Sequence, residues 1–392
     1  MSADNATYTT FALAPAARMG EARTKGLTRT HREFLDFVVD GRPLLLRLDD
    51  LDAVSPLASD VPPAILTHQV RGLLLEEPAP LPGGRFVIYA CPECEDLGCG
   101  AVTAVIERAG GGGGDRSEGS DGGDRSEGGD GGDYIWRDFA WQTADGGDGG
   151  AGGAGGGDAG REPYEGLGPF RFRGAEYRAV LGRLLTGDGA LVRRRVLLIG
   201  ARVSLLARVA AALRTIGIGA EITAAPVDIP ADELRTYGAV LFGGAVQESE
   251  RAAVRAAFTA AGAEVAYVSP LAPLVPLLVA QLEHALDRSP AGHRRLTRLT
   301  VSDGAAELET AATCWVSLVA HRAGGLRRVR TTEVFDGRLD AGTHRIALDA
   351  KALKGRCYLV ARTGGSVLTA PGPHAAPGAT ATPAPGPAPR PD

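Results

Sequence analysis

The stretch that most constrains this chain runs from Arg194 to Thr223, RRVLLIGARVSLLARVAAALRTIGIGAEIT. Val196-Leu197-Leu198-Ile199 is a short continuous apolar run, the pattern of a parallel strand buried on both faces. Gly200-Ala201-Arg202 turns the chain into a helix on which Val203, Leu206, Val209, Leu213 and Ile216 recur at spacings of three and four, a core-facing stripe. Ser204, Arg208, Ala211 and Thr215 fall on the opposite side, and Gly217 stops the helix before a second strand. Two more strand–helix pairs follow. Ala239 to Phe242 leads through Gly243-Gly244 to a helix ending near Gly262, and Val265 to Val268 leads to a helix ending near Leu286. The first and third strands are apolar throughout, whereas Glu221 and Glu264 mark the second and fourth as edges. The expected result is a Rossmann-like, doubly wound parallel sheet over 191–289 with strand order 2-1-3-4, in which ligands bind where the order reverses.

The flanking regions read differently. Residues 1–28 show no sustained periodicity and are expected to be disordered. An α+β module is expected over 29–190. It opens with a hairpin of Phe34 to Val39 and Pro43 to Leu48 around Asp40-Gly41, and continues with an amphipathic helix over Pro62 to Glu77, with Asp60 as cap. An antiparallel meander of Arg85 to Ala90, Ala101 to Glu107 and Tyr134 to Trp141 follows, and Phe170 to Phe172 with a helix over Ala175 to Leu185 closes the module. Gly-rich tracts at 110–133, holding the near-repeat DRSEGSDGG and DRSEGGDGG, and at 145–160 cannot bury enough apolar surface to offset ordering entropy; they read as flexible insertions. After Ser289-Pro290, six short alternating strands split by Asp336-Gly337, Ala341-Gly342 and Gly364-Gly365 predict a small β-sandwich over 290–369. The Pro-rich 370–392 reads as a disordered tail.

Composition narrows the function classes. The net charge is −5, and of 42 basic residues only Lys25, Lys351 and Lys354 are lysine. No basic stripe carries interleaved aromatics, so nucleic acid is not an expected partner. The N-terminus lacks the basic n-region of a signal peptide, and the longest apolar stretch, Leu271 to Leu282, is broken by Pro273 and Pro276, short of the roughly 20 residues a membrane span needs. The expectation is a cytoplasmic protein. Five cysteines, an odd number, argue against a disulfide framework.

Three motifs bear on chemistry. Gly200, Ala201, Arg202 and Ser204, with Gly243 and Gly244, form a candidate phosphate site: backbone N–H groups at a helix start attract anions, and Arg202 adds a charge. Only one glycine of the dinucleotide pattern is present, Arg202 and Leu205 standing at the second and third glycine positions. A Tyr-x-x-x-Lys acid/base couple is impossible, because no lysine lies between Lys25 and Lys351. His284, near the end of the last helix, reads as a solvated C-terminal charge rather than a catalytic base. Cys91, Cys94 and Cys99 could hold zinc if a fourth ligand such as His68 arrived; the competing readings are a redox pair and a buried structural loop.

The segments FVVDGRPLLLRLDDLDAVSPL, VIYACPECEDLGCGAVTAVIER, YIWRDFAWQT and GPFRFRGAEY, followed by the central unit, resemble a family of uncharacterised proteins from high-GC Gram-positive bacteria that commonly carry the label oxidoreductase. The resemblance implies an oxidoreductase and supplies no catalytic residues; taken with the glycine-bearing loops at the switch point, it leads to the expectation of an enzyme binding NAD or NADP there and acting on a small-molecule substrate. GRLDAGTHRIALDAKALKGRCYLVARTGGSVLT is similar to the immunoglobulin-like module of flagellar hook-capping proteins, which implies a sandwich. The alternative is a non-catalytic binding or scaffold protein that meets a protein partner through that sandwich.

Overall fold

The computed structural model describes residues 7–21, 28–93, 97–109, 132–143, 161–187, 191–223, 229–302, 304–324, 329–349 and 355–373. The first Gly-rich tract as far as residue 131, the second tract, Cys94 and the tail from residue 374 lie outside them. The molecule is mixed α/β, with most of its strands antiparallel. It divides into two compact units, one of Met1–Ala14, Phe34–Leu48 and Asp52–Leu191, the other of Pro15–Glu33, Asp49–Leu51 and Val192–Asp392. Among the described residues no helix is long and apolar enough to cross a membrane.

β1 (Phe11–Arg18), β2 (Arg32–Val39) and β3 (Arg42–Pro43) make a three-stranded sheet in that order, of which Phe11–Ala14, Phe34–Val39 and β3 belong to the first unit. Strand β1 falls where disorder was expected. Its buried apolar positions Phe11, Ala14 and Ala17 are three apart and two are alanine, so it shows no alternation to read. Asp40 and Gly41 take φ of 51° and 70°, the left-handed turn that pair favours. The second arm of the hairpin stops after Pro43, and Leu44–Arg47 forms a 3-10 turn instead of a strand; a short all-apolar run does not fix its own backbone. Helix α1 (Pro63–Leu73) has Pro62 rather than Asp60 at its N-cap position, with no side-chain cap hydrogen bond from that residue.

The second sheet of this unit has β4 (Arg85–Ala90), β5 (Ala101–Arg108), β6 (Tyr134–Gln142) and β7 (Arg161–Pro163) in sequence, with β8 (Phe170–Phe172) also pairing β6. Asp138, at φ 54°, sits at a register shift between β5 and β6. The extra residue flips the alternation, so that both Trp136 and Phe139 are buried. With α2 (Gly174–Leu185) they close an aromatic core in which Phe11, Phe37, Trp136, Phe172 and Tyr177 touch at centroid distances of 4.6–6.3 Å.

The second unit holds β9 (Arg195–Ile199), α3 (Val203–Thr215), β10 (Ala220–Thr223), α4 (Ala231–Leu234), β11 (Tyr237–Phe242), α5 (Glu248–Ala260), β12 (Ala266–Val268) and α6 (Val275–Leu286). The four strands of this stretch are parallel and lie in the order β10-β9-β11-β12. Successive side chains leave opposite faces. Val196, Leu198 and Leu241 pack with Leu206, Leu213 and Leu282 of α3 and α6, while Leu197, Ile199 and Phe242 pack with Leu234, Val254 and Phe258 of α4 and α5. Val203, expected on the buried stripe, is 60 % exposed, because it begins the helix beyond the edge of the sheet. Gly217 takes φ 82° and ends α3, with the Ile218 N–H reaching back to Leu213 O.

The same unit continues through β13 (Leu296–Ser302), β14 (Ala305–Thr310), β15 (Cys314–Ala323), β16 (Val329–Leu339), β17 (Gly342–Ala347), β18 (Cys357–Arg362) and β19 (Val367–Pro371). Two antiparallel sheets, β13-β14-β17 and β16-β15-β18-β19, share a core of Leu296, Leu308, Val316, Leu318 and Leu359. Strand β14 escapes sequence reading because Leu308 is its only large apolar residue. Asp336-Gly337 is not a turn: both residues pair with β15, opposite Ser317 and Val316. The segment Pro15–Glu33 joins this unit by hydrogen bonds from Met19 N to Gly364 O and from His31 N to Ile216 O, both 2.8 Å.

Candidate functional site

The crest of the parallel sheet, where β9 and β11 end side by side, gathers the residues singled out for phosphate binding. The ladder runs one residue past the strands, Gly243 N donating to Ile199 O at 2.7 Å. Gly200 takes φ 152°, and a Cβ there would lie 3.2 Å from Gly243 Cα, so the two glycines permit the loops to leave the sheet in contact. Beyond them Ala201, Arg202 and Ser204 are exposed, as is Gly244, while Gly243 is half-buried.

The two helix starts at this crest differ. Helix α5 is closed by a capping box between Gln247 and Glu250 and carries Glu248 in its first turn, acids that satisfy its positive end. Helix α3 begins at Arg202 with no side-chain cap and no acidic residue in its first turn. An anion at this crest is therefore favoured at α3 and opposed at α5.

The cysteine loop is only partly described. Cys91 is half-buried and Cys99 exposed. His68 is 62 % exposed at its side chain and lies 3.7 Å from Glu77. Gly100, at φ 91°, lies so close under the Trp141 ring that a Cβ would fall 2.3 Å from it. Among the described residues no group of three His, Cys, Asp or Glu side chains could hold a metal ion. The zinc reading also needs Cys94, which lies outside them.

His284 is not a solvated charge. It is half-buried, and burial, with Arg294 nearby, pulls its pKa down. The ionisable centre on α6 is its neighbour Glu283, fully buried. Its Oε1 accepts the Gly20 N–H at 2.8 Å, and its Oε2 meets an Arg362 guanidinium nitrogen at 2.6 Å. His31 Nδ1 lies 3.7 Å from Oε1, and Arg362 also donates to Gly20 O at 2.9 Å. Sequence reading passed over this group. The available signal was an acid on the apolar face of LLVAQLEHAL, in helical register with Val279 and Leu286.

No protein-family model and no curated protein matches the chain. Among solved structures, the crystal structure of an engineered protein is similar over 50 % of this chain at 15 % identity with a TM-score of 0.13, this chain spanning 51 % of its length; so low a score carries no argument.

Proposed function

We propose that the four-stranded parallel sheet is a Rossmann-like, doubly wound nucleotide-binding unit with order 2-1-3-4, and that the chain is an oxidoreductase using NAD or NADP on a small-molecule substrate. One observation carries this reading. The adjacent parallel strands β9 and β11 feed helices on opposite faces of the sheet, the switch-point arrangement that leaves a crevice at their carboxyl ends. The uncapped, acid-free start of α3 at that crevice supports it further. In this reading Gly200, Ala201, Ser204, Gly243 and Gly244 surround the phosphates and Arg202 supplies the charge; no side chain is assigned to hydride or proton transfer.

The test is thermal unfolding with and without millimolar NADH, NADPH, ATP and FAD. A ligand at a hundredfold excess over its Kd adds about 2.7 kcal/mol of stability. The expected outcome is a clear rise in Tm with one nicotinamide cofactor that disappears in Arg202→Glu. A second reading, a non-catalytic binding protein whose sheet is structural and whose sandwich meets a protein partner, draws on the contact of Gly200 with Gly243 and on bulky Arg202 and Leu205 where pyrophosphate binders carry glycine. No shift with any of the four nucleotides would favour it.

A further inference from the structure

We propose that a cleft of about 710 Å³ in the second unit, between helices α3 and α6 and the outer face of the sandwich sheet, binds a small organic cation bearing an amine or guanidinium group. Strands β15 and β16 supply its polar wall, with Ser317 and His321 on the first and Thr331, Glu333 and Asp336 on the second; Ile216, Val275 and Val279 supply an apolar wall opposite. The volume lies within the roughly 300–1,000 Å³ of small-molecule sites.

Charge decides the ligand class. Arg362, the one arginine lining the cleft among the described residues, is already engaged by buried Glu283 and by Gly20 O. His321, 8 % exposed and within 3.3 Å of Thr331 Oγ1, adds no positive charge near neutral pH, since burial and then the charge of Arg362 pull its pKa down to about 4. Glu333 and Asp336 are exposed and bring two carboxylates to the same wall. Asp336 Oδ1 accepts the indole N–H of Trp315 at 2.7 Å, and that indole is 53 % exposed, which fixes one carboxylate beside an aromatic ring able to attract a cation. The facing aliphatic wall suits the hydrocarbon of an alkylamine and offers nothing to a hydrated metal ion. Together these features favour an elongated cation with an apolar stem.

Calorimetric titration of the full chain with agmatine and with spermidine at low ionic strength tests the site. Binding of at least one of them is expected, accompanied by a change in Trp315 emission that is lost in Trp315→Phe. The double variant Glu333→Gln/Asp336→Asn should bind about tenfold or more weakly, the loss of charge-assisted contacts. It should keep its unfolding midpoint, because both side chains are exposed. Arg202→Glu, at the sheet crest, should bind the amine unchanged, so this result is independent of nucleotide binding. No binding of either amine at millimolar concentration, or equal binding by the double variant, overturns the proposal.

Discussion

Glu283 exposes no surface, and such a carboxylate keeps its charge only if its partners outweigh desolvation. Burial alone would push its pKa up; Arg362, with His31, outweighs that and holds it below the ordinary 4.5. Removing the charge from one partner leaves the other without its counter-ion, typically a cost of 3–5 kcal/mol for a buried pair, taken here as about 3 kcal/mol because Arg362 retains the Gly20 carbonyl. Glu283→Gln should therefore lower the free energy of unfolding at pH 7 by about that amount in denaturant titration. The pH dependence has a definite sign. A carboxylate with a depressed folded pKa contributes its full stabilisation above its unfolded value and loses it as pH falls through the folded one. The native protein should lose this contribution as pH drops below about 4.5, while Glu283→Gln shows no such loss at this site. A variant as stable as the native protein at pH 7 would show that the cluster contributes nothing net.

At the scale of elements, the C-terminal carbonyls of α1 find donors in two buried tyrosines. The Tyr177 hydroxyl donates to Leu73 O at 3.0 Å while accepting the Trp136 indole N–H at 3.1 Å, and the Tyr134 hydroxyl donates to Leu74 O at 3.1 Å. The ring of Tyr177 stacks on Phe172 with centroids 5.6 Å apart. Tyr177→Phe keeps that packing and strands two buried polar groups, each worth about 1–3 kcal/mol. A loss of at least about 2 kcal/mol is expected by denaturant titration, with faster hydrogen exchange at the end of α1; a loss below half that would mean water replaces the hydroxyl. Nothing in the sequence around Leu73 announces Tyr177 as its partner, because the pairing spans 104 positions. Legibility follows that distinction. Asp40-Gly41 and Gly217 can be read as turn and helix stop because the required φ is a property of those residues. The stripe Leu206, Val209, Leu213 is legible because a helix imposes its own period. Strand β1 and strand β14 are not: β1 shows no alternation, and the alternation of β14 sets only Ala306, Leu308 and Thr310 against two glutamates, with a single large apolar residue to announce it. The same holds for sites. The crest loops are contiguous segments, whereas the cleft draws on residues from Gly20 to Arg362 that only the fold brings together.

At the scale of the whole molecule, the division into units does not follow the chain. The backbone leaves the first unit after Leu48, contributes Asp49–Leu51 to the second and returns at Asp52. That three-residue visit is fixed by Asp50, which adopts φ 55° and turns both carboxylate oxygens to the sandwich. Oδ1 pairs with the buried Arg295 guanidinium, and Oδ2 accepts the Trp315 N–H at 2.5 Å. Burial and the charge of Asp50 push the Cys314 thiol up to about 11, so it stays protonated and inert at neutral pH. Asp50→Ala removes an acceptor from one buried cation and one strand N–H at once. Because Asp50 itself is partly exposed, with 18 % of its side-chain surface accessible, the expected loss is about 2 kcal/mol rather than the larger figure for a fully buried pair. The loss should be local to the second unit. Hydrogen exchange in the native state is expected to quicken at the Trp315 amide and across β15, while β6 in the first unit keeps its protection. Equal loss in both units would mean that the Asp50 contacts support the whole molecule; unchanged exchange at Trp315 would mean that they are dispensable even to the strand they touch.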